Sequence, residues 1–134
     1  MFGRNPSSKP QNKIDSLIGA GTRIEGNVTF SGGLRVDGEI KGNVSADKGV
    51  ASTLVISEQA RIEGQIDVAH VVINGTVVGP VSASDSLELQ PSARVTGDVE
   101  YHHLEMQQGA VVQGRLVHQT SARTVELKLA ASAN

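Results

Sequence analysis

The pattern apolar-x-Gly-x-apolar recurs six times, as IEGNV (24–28), IKGNV (40–44), IEGQI (62–66), VVGPV (77–81), VTGDV (95–99) and VQGRL (112–116). Its central glycines, Gly26, Gly42, Gly64, Gly79, Gly97 and Gly114, are separated by 16, 22, 15, 18 and 17 residues. Helical repeats need units of about 33 residues or more, so this period excludes a helical solenoid. It fits one turn of a parallel β-helix, in which about three short strands wind round a triangular section and each pairs with its equivalent one turn away. The expected fold is all-β, a single domain of about six turns, roughly 29 Å long at the ~4.8 Å spacing of paired strands.

The agreement extends beyond the pentapeptide. SLIGAGTRIEGNV (16–28), LVISEQARIEGQI (54–66), LELQPSARVTGDV (87–99) and LEMQQGAVVQGRL (104–116) align without gaps, with apolar residues before and after a small polar turn. LRVDGEIKGNV (34–44) and VVINGTVVGPV (71–81) are two residues shorter, and each has a second glycine, Gly38 or Gly75. Glycine in a strand sacrifices packing, so the repeat glycines are expected at corners where a side chain would strike the neighbouring turn. Gly38 and Gly75 are expected to tighten the corners of the two short repeats. The 22-residue interval holds ADKGVAST (46–53), whose small and polar residues read as a loop insertion. Residues 1–13, with two prolines, three cations and no acid, read as a tail. The domain is placed at 14–129, with TVELKL (124–129) a last strand and 130–134 a short C-terminal tail.

Composition agrees with a thin aliphatic core: Phe2, Phe30 and Tyr101 are the only aromatic residues of 134, against 15 glycines. The absence of cysteine excludes disulfides and thiolate metal sites. A net charge of −2 argues against nucleic acid as a partner. No apolar run approaches the ~18 residues of a membrane span, and the N-terminus lacks the continuous apolar stretch of a secretory signal.

The stretch IDSLIGAGTRIEGNVTFSGGLRVDGEIKGNV (14–44), the polar tail beginning MF and the glycine-centred repeats together resemble the bactofilins, bacterial cytoskeletal proteins, over about residues 14–118. The resemblance implies a right-handed β-helix that polymerises without nucleotide or other cofactor into nonpolar filaments. It also implies a cytoplasmic location at the inner face of the cell membrane, and the positioning of cell-wall or morphogenetic proteins.

Self-association has a physical basis of its own, because both ends of a β-helix expose unpaired strand edges and core side chains. Leu17, Ile18, Ile24, Val28 and Phe30 are expected at the N-terminal end, and Val112, Leu116, Val125, Leu127 and Leu129 at the other. The alternative is that the tails fold over both ends. The tail offers Phe2, worth about 2 kcal/mol on burial, and Arg4, Lys9 and Lys13, worth at most about 1 kcal/mol each at an anionic surface. Such a segment binds lipid marginally alone and firmly when displayed many times along a filament.

A trimeric hexapeptide-repeat acyltransferase or carbonic anhydrase is the competing class, with His70, His102, His103 and His118 as candidate bases or zinc ligands. Its six-residue pattern holds at Ile24, Phe30 and Val36 and fails at Gly42, so no catalytic, metal or cofactor residue is assigned and the histidines are expected at strand ends on the surface. SGGLRVDG (31–38) occurs once, where a calcium-binding β-helix needs tandem copies. Arg23, Arg61 and Arg94 share one repeat position, and Glu25 and Glu63 another. The short repeats are expected to intervene between like charges.

Overall fold

A computed structural model describes residues 14–119, all strand, turn and loop. Fifteen strands wind through six turns. The first turn is β1 (Ser16–Ile18), β2 (Arg23–Glu25) and β3 (Val28–Phe30), and the second is β4 (Gly32–Val36), β5 (Glu39–Lys41) and β6 (Val44–Ala46). Turn three contains β7 (Ser52–Ile56), β8 (Arg61–Glu63) and the start of β9 (Ile66–Ile73). Turn four takes the rest of β9, then β10 (Thr76–Val78) and the start of β11 (Val81–Leu89). Turn five takes the rest of β11, then β12 (Arg94–Thr96) and the start of β13 (Val99–Met106). The rest of β13, with β14 (Val111–Gln113) and β15 (Leu116–His118), completes the sixth. Every pairing is parallel, each strand with its equivalent in the adjacent turn.

The inward residues form continuous columns. One face stacks Ile24, Ile40, Ile62, Val77, Val95 and Val112 in register. Another stacks Leu34, Leu54, Val71, Leu87 and Leu104. In the middle turns these side chains are fully buried, Ile40, Leu54, Ile62 and Val77 all at 0% exposure. A section only three strands around leaves room for aliphatic side chains and little else, which accounts for the scarcity of aromatic residues.

The repeat glycines stand at the corner before the third strand of each turn. A Cβ on Gly42 would lie 2.0 Å from the carbonyl oxygen of Gly26, and one on Gly64 2.1 Å from that of Gly42. The obstruction is therefore the backbone of the equivalent glycine one turn earlier. Gly38 and Gly75 tighten the short corners as expected: each sits over the longer corner beneath it, where a Cβ would meet Thr22 O at 2.3 Å or Ser57 O at 2.2 Å. The insertion is narrower than expected, since β6 runs through Ala46 and β7 begins at Ser52.

The third corner is less sharply broken than three short strands per turn implies. β9, β11 and β13 run eight or nine residues across two faces, and the bend is a register shift between Ala83 and Ser86. No glycine interrupts those stretches. The strand TVELKL lies outside the described residues.

Candidate functional site

The flanks of the rod are chemically quiet. Along one face the outward column reads Arg23, Glu39, Arg61, Thr76, Arg94, Val111, and its neighbour reads Glu25, Lys41, Glu63, Val78, Thr96, Gln113. The short repeat of turn two thus interposes opposite charges between like ones, as expected. Arg23 pairs with Glu39 at 3.3 Å and Arg61 with Glu63 at 2.7 Å. Such exposed pairs contribute little each, and their value lies in avoiding like-charge stacking.

At the glycine corners a polar ladder, not foreseen from the sequence, closes three of the five steps from one turn to the next. Asn43 N–H donates to Asn27 Oδ1 and Gln65 N–H to Asn43 Oδ1, both at 2.9 Å. Arg115 N–H donates to Asp98 Oδ1 at 3.0 Å. Asparagine or aspartate directly after the repeat glycine was the available signal.

Three carboxyls are held below their ordinary range. Asp98 is lowered by the Arg115 N–H and then its guanidinium, Glu63 by the hydrogen bond from Arg61, and Asp37 by hydrogen bonds from Ser57 and then Arg35. A lowered folded-state pKa contributes stability above the unfolded value, and that stability is lost as pH falls through the folded one. The thermal midpoint is therefore expected to hold down to about pH 5 and to drop at more acid pH, where paired carboxylates protonate. Asp98→Asn shows a shallower acid limb; an unchanged limb in calorimetry removes Asp98 from this account.

The histidines are more organised than strand-end surface residues. His70 Nδ1 lies 2.7 Å from Ser86 Oγ, and its Nε2 lies 3.4 Å from Asp85 Oδ2. This outward-facing set ties turn four to turn five. His102 and His118, as their 16-residue spacing implied, occupy neighbouring turns, with ring centroids 5.9 Å apart. Among the described residues no group of three or more His, Cys, Asp or Glu is placed to hold a metal.

The ends differ from the flanks. Eight large apolar residues are exposed among the described ones, and six of them, Ile14, Leu17, Met106, Val111, Leu116 and Val117, belong to the terminal turns. At the N-terminal end Ile18, Ile24, Val28 and Phe30 are half-buried, packed on the core from one side only. Leu17 is also there, but on the outward column with Arg35 and Val55, because Ser16 takes the inward position. At the other end Val112 is half-buried and Leu116 is 42% exposed. Phe2, Arg4, Lys9, Lys13, Val125, Leu127 and Leu129 lie outside the described residues. Among the described residues no helix is long and apolar enough to cross a membrane.

A parallel β-solenoid whose first and last described turns carry exposed apolar side chains has the form of a polymer subunit. The sequence model of the Bactofilin family, described as polymer-forming cytoskeletal, matches residues 16–117, and the chain belongs to that family. It is 28% identical to bactofilin BacO of Myxococcus xanthus (strain DK1622) over 102 residues, 76% of this chain and 78% of that protein. It is 26% identical to bactofilin BacP of the same organism over 109 residues, 81% of this chain but 44% of BacP. No solved structure matches the chain significantly. The protein is thus a polymer-forming cytoskeletal protein.

Proposed function

We propose that this chain assembles end to end, without nucleotide, into filaments lacking polarity. The filaments lie at the inner face of the cell membrane and position cell-wall or morphogenetic proteins. The observation that carries the assembly reading is the concentration of exposed apolar side chains in the first and last turns, whose outer strand edges have no partner strand among the described residues. Contiguous exposed apolar surface marks an interaction site. When like ends meet, each contact is isologous, and two such contacts at opposite ends propagate a filament without direction.

Electron microscopy of purified protein, with neither nucleotide nor metal, is expected to show long filaments. A single small species at all concentrations overturns end-to-end assembly, and a discrete trimer containing zinc favours a hexapeptide-type enzyme. Leu116→Asp places a charge on the C-terminal end and is expected to halt growth at dimers joined through their N-terminal ends. Leu127 and Leu129 extend the same interface if TVELKL continues the last turn; charge at either is expected to shorten filaments.

Membrane attachment rests on residues 1–13. Phe2 supplies apolar surface, and Arg4, Lys9 and Lys13 supply attraction to anionic lipid. In co-sedimentation with anionic liposomes, Phe2→Ala filaments are expected to stay largely in the supernatant. Equal pelleting of variant and wild type excludes Phe2 as an anchor.

A further inference from the structure

Three of the four histidines converge on the C-terminal turn. The His102 and His118 rings are nearly parallel, at 17°, with centroids 5.9 Å apart, and His103 meets His102 edge-on at 4.4 Å. Tyr101 tilts against His118 at 5.7 Å. His118 pairs in register with Tyr101, which itself follows Ala83 and Val68 on an inward column. That column carries apolar or aromatic side chains in the preceding turns and ends in an exposed imidazole.

We propose that the C-terminal end is a proton-gated junction, which joins the same end of a second copy while His102 and His118 are neutral and releases it when they are protonated. The proposal rests on the end-to-end assembly above and adds its regulation. The occupant follows from the polymer-forming character of the family and from the exposed apolar residues that share β15 with His118, Leu116 and Val117.

The chemistry is direct. His102 Nδ1 lies 3.2 Å from the Gln119 carbonyl oxygen, which can only accept, so Nδ1 is the donor there and Nε2 is the ring nitrogen left without that bond. Histidine is the side chain that ordinarily changes charge between pH 5 and 8. Covering an imidazole in a junction disfavours its charged form, and an isologous contact doubles the cluster about the two-fold axis. The joined state therefore binds fewer protons than free ends, and association weakens as pH falls.

The other titratable groups around the cluster are on β13, β11 and the corner before β15. Glu100 accepts from Gln119 Nε2 at 2.7 Å, Asp85 is engaged with His70, and Arg115 pairs with Asp98 at 3.3 Å. Tyr101 and Glu105 are also on β13, and Glu88 of β11 pairs in register with Glu105. Glu100, Asp85 and Asp98 thus have partners of their own. The N-terminal end presents Ile18, Ile24, Val28 and Phe30, none of which titrates.

Filament length is measured by electron microscopy and species mass by sedimentation at pH 8 and pH 5.5, with circular dichroism confirming the fold at both. Wild type is expected to form long filaments at pH 8 and, at pH 5.5, dimers of about twice the 14.0 kDa monomer mass, joined through N-terminal ends. His102→Gln with His118→Leu is expected to form filaments at both. Phe30→Arg, which leaves only the C-terminal contact, is expected to give dimers at pH 8 and monomers at pH 5.5. Wild-type filaments of equal length at both pH values overturn the gate and leave end-to-end assembly standing, as does equal acid dissolution of the histidine variant. The absence of wild-type filaments at pH 8 overturns assembly and the gate together.

Discussion

Gly64→Ala is expected to remove several kcal/mol of stability, while Gly26→Ala, the same change at the same repeat position, leaves a folded protein. Both glycines have positive φ, +152° and +141°, so each substitution incurs backbone strain on the order of 1–3 kcal/mol. They differ in surroundings. A Cβ at Gly64 would lie 2.1 Å from the oxygen and 2.5 Å from the carbon of the Gly42 carbonyl, whereas one at Gly26, in the first turn, meets nothing within 4 Å. Backbone cannot rotate away as a side chain can. The turns must separate, which disturbs the 2.9 Å bonds from Gly42 N–H to Glu63 O and from Gly64 N–H to Val78 O. Overpacking of this kind adds about 1–3 kcal/mol or more to the strain, a large fraction of the ~5–15 kcal/mol that holds a domain together. Urea unfolding in the Leu116→Asp background keeps the C-terminal junction out of the comparison. Equal losses at the two sites reject the backbone collision as the reason for the repeat.

A second pair of substitutions separates folding from assembly. Ile62→Ala, on the fully buried column between Ile40 and Val77, is expected to cost about 2–5 kcal/mol of unfolding free energy by leaving a cavity that close-packed neighbouring turns cannot fill. Ile24→Ala truncates the same side chain on the same column at its open end. Its folding deficit is expected to be about half that of Ile62→Ala, because less area is removed from cover. The remainder appears when ends meet, as a critical concentration raised about tenfold for each 1.4 kcal/mol lost from the contact. An Ile24→Ala protein that assembles like wild type shows that this part of the N-terminal end stays uncovered in the polymer.

The sequence was most informative where neighbours in space are neighbours in the repeat. Parallel stacking makes residue i touch its equivalent about 17 residues away, so the glycine columns, the Ile24 to Val112 rail and the alternation of Arg23, Glu39 and Arg61 could all be placed by alignment. What depends on direction within a turn was harder to see. Leu17 belongs to the N-terminal end, but which way it faces is not given by its being apolar: Ser16 holds the inward position and Leu17 faces out. In β11 the third corner is made by a bulge between Ala83 and Ser86, where no glycine or proline serves as a marker. His102 and His118 were separable by one turn, but the approach of their rings depends on where the third corner falls between Tyr101 and His103, which the spacing alone does not give. The Asn27 and Asn43 ladder was visible as a repeated residue but not as a repeated bond, because a side-chain oxygen that faces water and one that accepts from the next turn look the same in sequence.

Parallel pairing between turns also sets how the rod carries force. Its inter-turn backbone bonds, such as Asn74 N–H to Ile56 O at 2.7 Å and Gln90 N–H to Ile73 O at 2.8 Å, join one coil to the next on every side of the section. Axial tension loads the bonds around a coil together, so no single bond bears the pull. A junction between like ends cannot continue that parallel ladder, because the two-fold axis reverses strand direction across it. Stretched filaments are therefore expected to part between subunits and leave the subunits folded, so that breakage by flow or by a growing cell yields ends able to join again.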